Sequence, residues 1–162
     1  MRLYLIRHAD AAPLGEGGVT DDHDRPLTEL GHSQARTLAA ALQRRDVTLD
    51  QIVTSPLLRA RQTAEDIHQA WKTPPRDVVL CDHLAPDGRR KKLSRFLRDL
   101  KADSVAAVGH MPDLSDYLTW LIGSRRAKVP LEKAGVACLE CGPDLGKGDA
   151  VLLWLVTPTW CA

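Results

Sequence analysis

The chain has 162 residues, of which 44% are hydrophobic, and its formal net charge at pH 7 is +1. This length predicts one domain over residues 1–162, with enough apolar residues to bury a core. A nearly neutral chain has no overall attraction to nucleic acid or to an anionic membrane, so we expect neither as a partner. No sequence feature specifies an oligomeric state, and we expect neither a targeting segment nor a membrane span.

The four cysteines, Cys81, Cys138, Cys141 and Cys161, are scattered along the chain. This distribution favours free thiols in a reducing compartment, which we expect to be the cytoplasm. Cys138 and Cys141 have the spacing of half a zinc site, but no second pair accompanies them. We therefore predict that they are structural and that the protein holds no metal.

The first predicted strand, Leu3–Ile6, is a short run of apolar residues, typical of a strand buried on both faces. Arg7 and His8 follow at its carboxyl end, where open α/β sheets bind ligands. The loop from Ala9 to Arg25 is rich in glycine and acid, and it either covers this site or is a solvated connector. Its acidic residues Asp21, Asp22 and Asp24 are interpreted as part of a surface loop rather than as a cation site.

Two predicted helices come next. Thr28 is the expected N-cap of a helix that runs to about Arg45. Its apolar face is predicted to contain Leu30, Ala35, Leu38, Ala41 and Leu42. After a strand at Gln51–Thr54, Ser55 is the expected N-cap of the second helix and Pro56 its first residue. Arg59 would then lie in the first turn, facing the same crevice as Arg7.

The second half of the chain predicts further strands at Asp77–Cys81, Ser104–Val108, Gly135–Glu140 and Ala150–Val156. Residues 89–101 form a basic amphipathic helix, whose outer face is interpreted as solvated or, alternatively, as a docking surface for an acidic partner. His110 follows a strand and the glycine of a tight turn. The predicted fold is a three-layer α/β/α domain: a mostly parallel sheet of about six strands, helices on both faces and an antiparallel edge.

Four segments carry a resemblance to a known family: residues 7–10 (Arg-His-Ala-Asp), 25–31 (Arg-Pro-Leu-Thr and Gly31), 55–63 (Ser-Pro through Thr63) and 109–112 (Gly-His-Met-Pro). In order and spacing the chain resembles the histidine phosphatase superfamily, which includes phosphoglycerate mutases and acid phosphatases. It is most similar to the short bacterial phosphohistidine phosphatases (SixA-like). The resemblance implies a phosphoglycerate mutase-like fold and a phosphatase that needs neither metal nor cofactor.

The resemblance also implies roles for single residues. His8 would be the nucleophile that forms a phosphohistidine intermediate, and Arg7, Arg59 and His110 would bind phosphate beside it. His110 would be protonated near the bound phosphate. Arginine suits such a site because it stays charged and offers a planar fork of donors.

The general acid is less defined. The candidates are His83 and Asp82, near the family's acidic position, together with Asp87 and the acids of the first loop. Phosphohistidine departs as imidazole, which needs less protonation than an alkoxide. This favours phosphohistidine in a protein, such as a signalling phosphotransfer domain, as the substrate. The alternatives are a phosphatase of small phosphomonoesters and a non-catalytic phosphate-binding module.

Overall fold

The computed structural model describes residues 1–160, which build one six-stranded mixed sheet. The strands are β1 (Arg2–Arg7), β2 (Gln51–Thr54), β3 (Arg76–Leu80), β4 (Ser104–Gly109), β5 (Val136–Cys141) and β6 (Ala150–Val156). Their order is β3-β2-β4-β1-β5-β6. The first four strands are parallel, and β5 is antiparallel to both β1 and β6. The predicted sheet, including its antiparallel edge, is confirmed.

Four helices cover the two faces of the sheet: α1 (Glu29–Gln43), α2 (Leu58–Ala70), α3 (Arg90–Asp99) and α4 (Asp113–Leu121). Successive residues of β1 alternate between two apolar cores. Tyr4 and Ile6 pack in the core that contains α1 and α2, whereas Leu3 and Leu5 pack in the core that contains α3 and α4. Because both faces are covered, β1 and β4 read as uninterrupted apolar runs in the sequence.

The prediction that Thr28 caps α1 is confirmed, whereas the prediction that Leu30 lies on its apolar face is wrong. The Thr28 hydroxyl accepts a hydrogen bond from the Gly31 amide at 3.1 Å, as an N-cap should. Leu30, however, is 60% exposed. The buried face of this first turn is taken by Gly31, and the core contacts of the helix begin only at Ala35.

The start of α2 differs from the prediction as well. The helix begins at Leu58, and its N-cap residue is Leu57 rather than Ser55. The Ser55 hydroxyl accepts from the Leu57 amide at 3.3 Å, which closes a turn ahead of the helix, and Pro56 lies in that turn. The same hydroxyl contacts His110, which follows β4, so Ser55 bonds to the end of the neighbouring strand and does not cap the helix.

Helix α3 is amphipathic, as predicted. Leu93 and Leu97 are buried, and the basic side chains outside them are exposed. Arg90 lies over the ring of Trp120, with 5.9 Å between its guanidinium carbon and the ring centroid. This contact packs the amino end of α3 against α4.

Three of the cysteines, Cys81, Cys138 and Cys141, are buried free thiols, and Cys161 lies outside the described residues. Within residues 1–160 no group of three His, Cys, Asp or Glu side chains is arranged to hold a metal ion. None of the helices in the same range combines the length and the apolar character that a membrane span requires.

Gly31 is the point where α1 meets the chain leaving β1. A Cβ atom built there would lie 2.0 Å from the backbone oxygen of Asp10. That oxygen also accepts from the Thr28 amide at 3.1 Å, so it is fixed in place. A side chain at position 31 therefore has to displace either the helix or the segment that follows His8.

We expect Gly31→Ala to lower the free energy of unfolding by about 1–3 kcal/mol, because the clash outweighs the gain of about 0.5–1 kcal/mol from alanine in a helix. Urea denaturation measures this difference. Gly146→Ala is the control, since its nearest atom would be 3.9 Å away; it should change stability by no more than about 0.5 kcal/mol. Equal stability of the two variants would contradict the predicted clash.

Candidate active site

The ends of β1 and β4 bring two histidines side by side. In the parallel register of these strands Arg7 is paired with Gly109, so the next residues are His8 and His110. The His8 amide donates to the Gly109 carbonyl at 3.0 Å, which continues the ladder by one residue. The two imidazole rings lie 5.2 Å apart between centroids, at an interplanar angle of 52°. The predicted convergence of His8 and His110 is thus present in the structure.

Arg59 reaches the same place from the first turns of α2. A single hydroxyl links it to the chain that leaves β1: Thr63 Oγ1 donates to the Arg59 carbonyl at 2.7 Å and accepts from the Ala9 amide at 3.0 Å. Arg59 is only 5% exposed. Its positive charge helps to lower the pKa of both histidines. Thr63 is a positioning residue that our sequence analysis did not identify.

His8 is held in a form suited to nucleophilic attack. Its Nδ1 lies 2.7 Å from the Ala9 carbonyl oxygen. A carbonyl only accepts, so Nδ1 carries the proton and Nε2 keeps its lone pair. Burial, together with the neighbouring arginines, lowers the pKa of His8 to about 4. The ring is therefore neutral at physiological pH.

His110 is buried and contacts Ser55, with 2.8 Å between Nε2 and Oγ. Burial and the positive groups around it lower the pKa of His110 to about 3. In the free protein this histidine is neutral, and the protonated form was predicted only for the state with bound phosphate. A bound dianion would raise this pKa again, because opposite charge favours the protonated ring. The position of Ser55 directly after a buried strand, like that of His8, was a signal for its place in the site.

We call Arg7, His8, Arg59 and His110 the anion pocket. Arg7 donates from Nη1 to the Leu131 carbonyl at 3.0 Å, and burial lowers the pKa of its guanidinium. Among the described residues, three buried nitrogens have no hydrogen-bond partner: Arg7 Nε, Arg59 Nε and His110 Nδ1. Buried polar groups are nearly always paired, so three such atoms in one pocket indicate a place for a ligand. Two of the side chains are guanidinium groups, which favours an anion.

The candidate proton donors take different positions. Asp82 is exposed, at the start of a 3₁₀ helix over Asp82–Leu84. His83 is half-buried and lines a small cavity with Leu84, Gly88, Arg90, Leu93, Asp113, Leu114 and Tyr117. The carboxylate in contact with Arg59 is that of Asp22, which sequence analysis treated as part of a surface loop. Asp22 does lie on the surface, with its side chain 52% exposed, and its contact with Arg59 favours the alternative in which the loop covers the site.

Residues 3–84 match the model of the histidine phosphatase superfamily (branch 1). The chain belongs to the histidine phosphatase superfamily. Phosphohistidine phosphatase SixA of Escherichia coli is 34% identical over 121 residues, covering 73% of this chain and 71% of that protein. An uncharacterised protein of Picosynechococcus is 34% identical over 166 residues, covering 99% of this chain and 98% of its relative.

One solved structure is similar to this protein over the whole length of the chain. The protein histidine phosphatase SixA complexed with tungstate superposes with a TM-score of 0.86 at 25% identity, over 100% of both chains. The predicted family and its three-layer fold are therefore confirmed.

We expect neither His8 nor His110 to titrate near pH 6.5, the usual value for histidine, in the free protein. With the pKa values lowered to about 4 and about 3, both rings should stay neutral from pH 8 down to pH 5. NMR chemical shifts of the imidazole Cε1 protons measure this directly, with His8→Gln and His110→Gln variants to assign the signals. Midpoints near 6.5 would contradict the assignment of a neutral pair.

The same shifts predict how stability depends on pH. A histidine whose pKa is lower in the folded state binds protons more readily when the chain unfolds. The stability that this pair contributes is complete above about pH 6.5 and is lost as the pH falls from there toward 4. Urea denaturation at pH 7 and pH 5 should show the loss, and replacing both histidines by glutamine should reduce it.

Proposed function

We propose that this protein is a metal-independent phosphatase that removes phosphate from phosphohistidine in a protein, through a phosphohistidine intermediate on His8. The observation that supports this most is the anion pocket, where two buried imidazoles 5.2 Å apart lie beside guanidinium nitrogens without partners. An orthophosphate-sized dianion satisfies these donors, and a neutral imidazole with a free lone pair is a nucleophile for phosphorus.

In the first step, His8 Nε2 attacks phosphorus and forms an N–P bond while the bond from phosphorus to the leaving group breaks. The three equatorial oxygens carry the developing charge, and Arg7, Arg59 and protonated His110 stabilise it. In the second step, water attacks phosphorus and the N–P electron pair returns to His8. The proton released by the water leaves with the phosphate or enters solvent.

The leaving group sets how much help the first step needs. An imidazole leaving group requires less protonation than an alkoxide. The carboxylate in contact with Arg59 is that of Asp22, whose pKa is lowered, so the site suits phosphohistidine better than an alkyl ester. We keep His83 and Asp82 as candidate proton donors. His83 is half-buried and Asp82 is exposed.

The relatives support this proposal. The Escherichia coli protein that shares 34% identity over 73% of this chain is a phosphohistidine phosphatase, and the SixA structure with a TM-score of 0.86 holds tungstate, a tetrahedral oxyanion like phosphate. The three free cysteines support a reducing compartment, and we propose the cytoplasm.

We predict that His8→Ala lowers turnover of a phosphohistidine-containing protein by about 10³-fold or more, because the nucleophile is gone. Quenched single-turnover reactions with ³²P-labelled substrate should trap label on His8 in the unaltered protein and none in the variant. His68→Ala is the control: His68 lies in the last turn of α2 and contacts the Pro75 carbonyl at 3.2 Å, so activity should persist. Label trapped on another residue would overturn the mechanism.

Substrate class is tested by comparing a phosphohistidine protein with p-nitrophenyl phosphate and with an alkyl phosphate. We expect kcat/KM to fall in that order. Release from the esters alone would favour the phosphomonoester alternative, and binding without release would favour a non-catalytic module. His83→Gln and Asp82→Asn should change turnover of phosphohistidine less than about threefold and should slow the alkyl phosphate more, because an alkoxide needs its proton.

A further inference from the structure

The loop between β1 and α1 brings the carboxylate of Asp22 into contact with Arg59, one of the two arginines of the anion pocket. Asp22 Oδ2 lies 3.0 Å from Arg59 Nη2, and the Asp22 carbonyl oxygen accepts from Arg59 Nη1 at 2.6 Å. Both terminal nitrogens of Arg59 are therefore bonded to one residue. The negative charge of Asp22 also acts to raise the pKa of His110.

Asp22 is held in this place from the other side. Arg25 Nη1 donates to Asp22 Oδ1 at 2.8 Å, and Arg25 Nε donates to the Ala12 carbonyl at 2.6 Å. The two arginines thus bind the two oxygens of one carboxylate and lower the pKa of Asp22, which keeps it ionised. A carboxylate between two guanidinium groups makes the contacts that two oxygens of a phosphate would make.

We propose that Asp22 is a built-in competitor for phosphate, which weakens the binding of orthophosphate and of small phosphate esters to the anion pocket. This inference rests on the proposed function, since it takes the pocket to be a phosphoryl site. Any phosphoryl group that uses the terminal nitrogens of Arg59 has to displace Asp22, and the displacement reduces its apparent affinity. A ligand whose contacts are confined to the pocket is then bound weakly, whereas a protein that displays phosphohistidine makes further contacts outside it.

The structure allows the displacement. The Asp22 side chain is 52% exposed while that of Arg59 is 6% exposed, so the carboxylate can leave toward solvent without unpacking the core. Gly15, Gly17 and Gly18, just before it, adopt positive φ with no atom within 4 Å of an added Cβ. A segment built this way changes conformation at low cost. Release of orthophosphate after each turnover is assisted by the returning carboxylate.

The test measures binding of orthophosphate without turnover, by isothermal titration calorimetry at pH 7. We expect Asp22→Asn and Asp22→Ala to lower the dissociation constant at least about fivefold, since a partly exposed ion pair is lost as a competitor. Asp24→Asn is the matched control, because it lies in the same 3₁₀ helix, removes the same charge and is not bonded to Arg59. It should stay within about twofold of the unaltered protein.

Steady-state kinetics separate this role from others. If Asp22 competes with phosphate, the KM for p-nitrophenyl phosphate falls by the same factor as the orthophosphate dissociation constant, and kcat does not rise. A fall in kcat with unchanged orthophosphate binding would overturn the proposal and make Asp22 a proton donor instead. Weaker binding in both variants would also overturn it, by making Asp22 a ligand of phosphate. Failure of every variant, and of the unaltered protein, to bind orthophosphate would overturn the proposed function as well.

Discussion

The parallel pairing of β1 with β4 is the constraint on which the site depends. Six residue pairs, from Arg2 with Ser104 to Arg7 with Gly109, fix the register, and a slip of one residue would turn every side chain of β1 to the opposite core. Since both faces of these strands are buried, that slip is strongly disfavoured. The positions of His8 and His110 are thereby set by the hydrophobic cores rather than by any contact between the two rings.

In the free protein the anion pocket disfavours positive charge, and it favours the binding of an anion. Two guanidinium groups and two imidazoles share a poorly solvated space, and burial lowers the pKa of Arg7, His8 and His110 together. A pocket of this kind is organised before the ligand arrives, so its donors need little rearrangement when charge develops on phosphorus. The buried nitrogens Arg7 Nε, Arg59 Nε and His110 Nδ1 also have no hydrogen-bond partner in the free protein.

Sequence analysis predicted the sheet from short-range patterns, and it named the four pocket residues from their positions after strands or in the first turn of a helix together with the family resemblance. Uninterrupted apolar runs mark the buried strands, and His8 and His110 come directly after two of them. It failed where one side chain had several possible partners. Ser55 has the composition of an N-cap but bonds to Leu57 and His110, and Leu30 has an apolar side chain at a position that faces solvent. The contact of Asp22 with Arg59 spans 37 residues and depends on how a glycine-rich loop folds back, which no local pattern encodes.

The hydroxyl of Thr63 ties the backbone at Arg59 to the backbone that follows His8 through two hydrogen bonds. It bonds at once to the peptide after the nucleophile and to the carbonyl of the arginine. A redesign of the pocket for larger oxyanions would therefore have to keep Thr63, or replace both of its hydrogen bonds, to hold Arg59 and the peptide after His8 in their present relation.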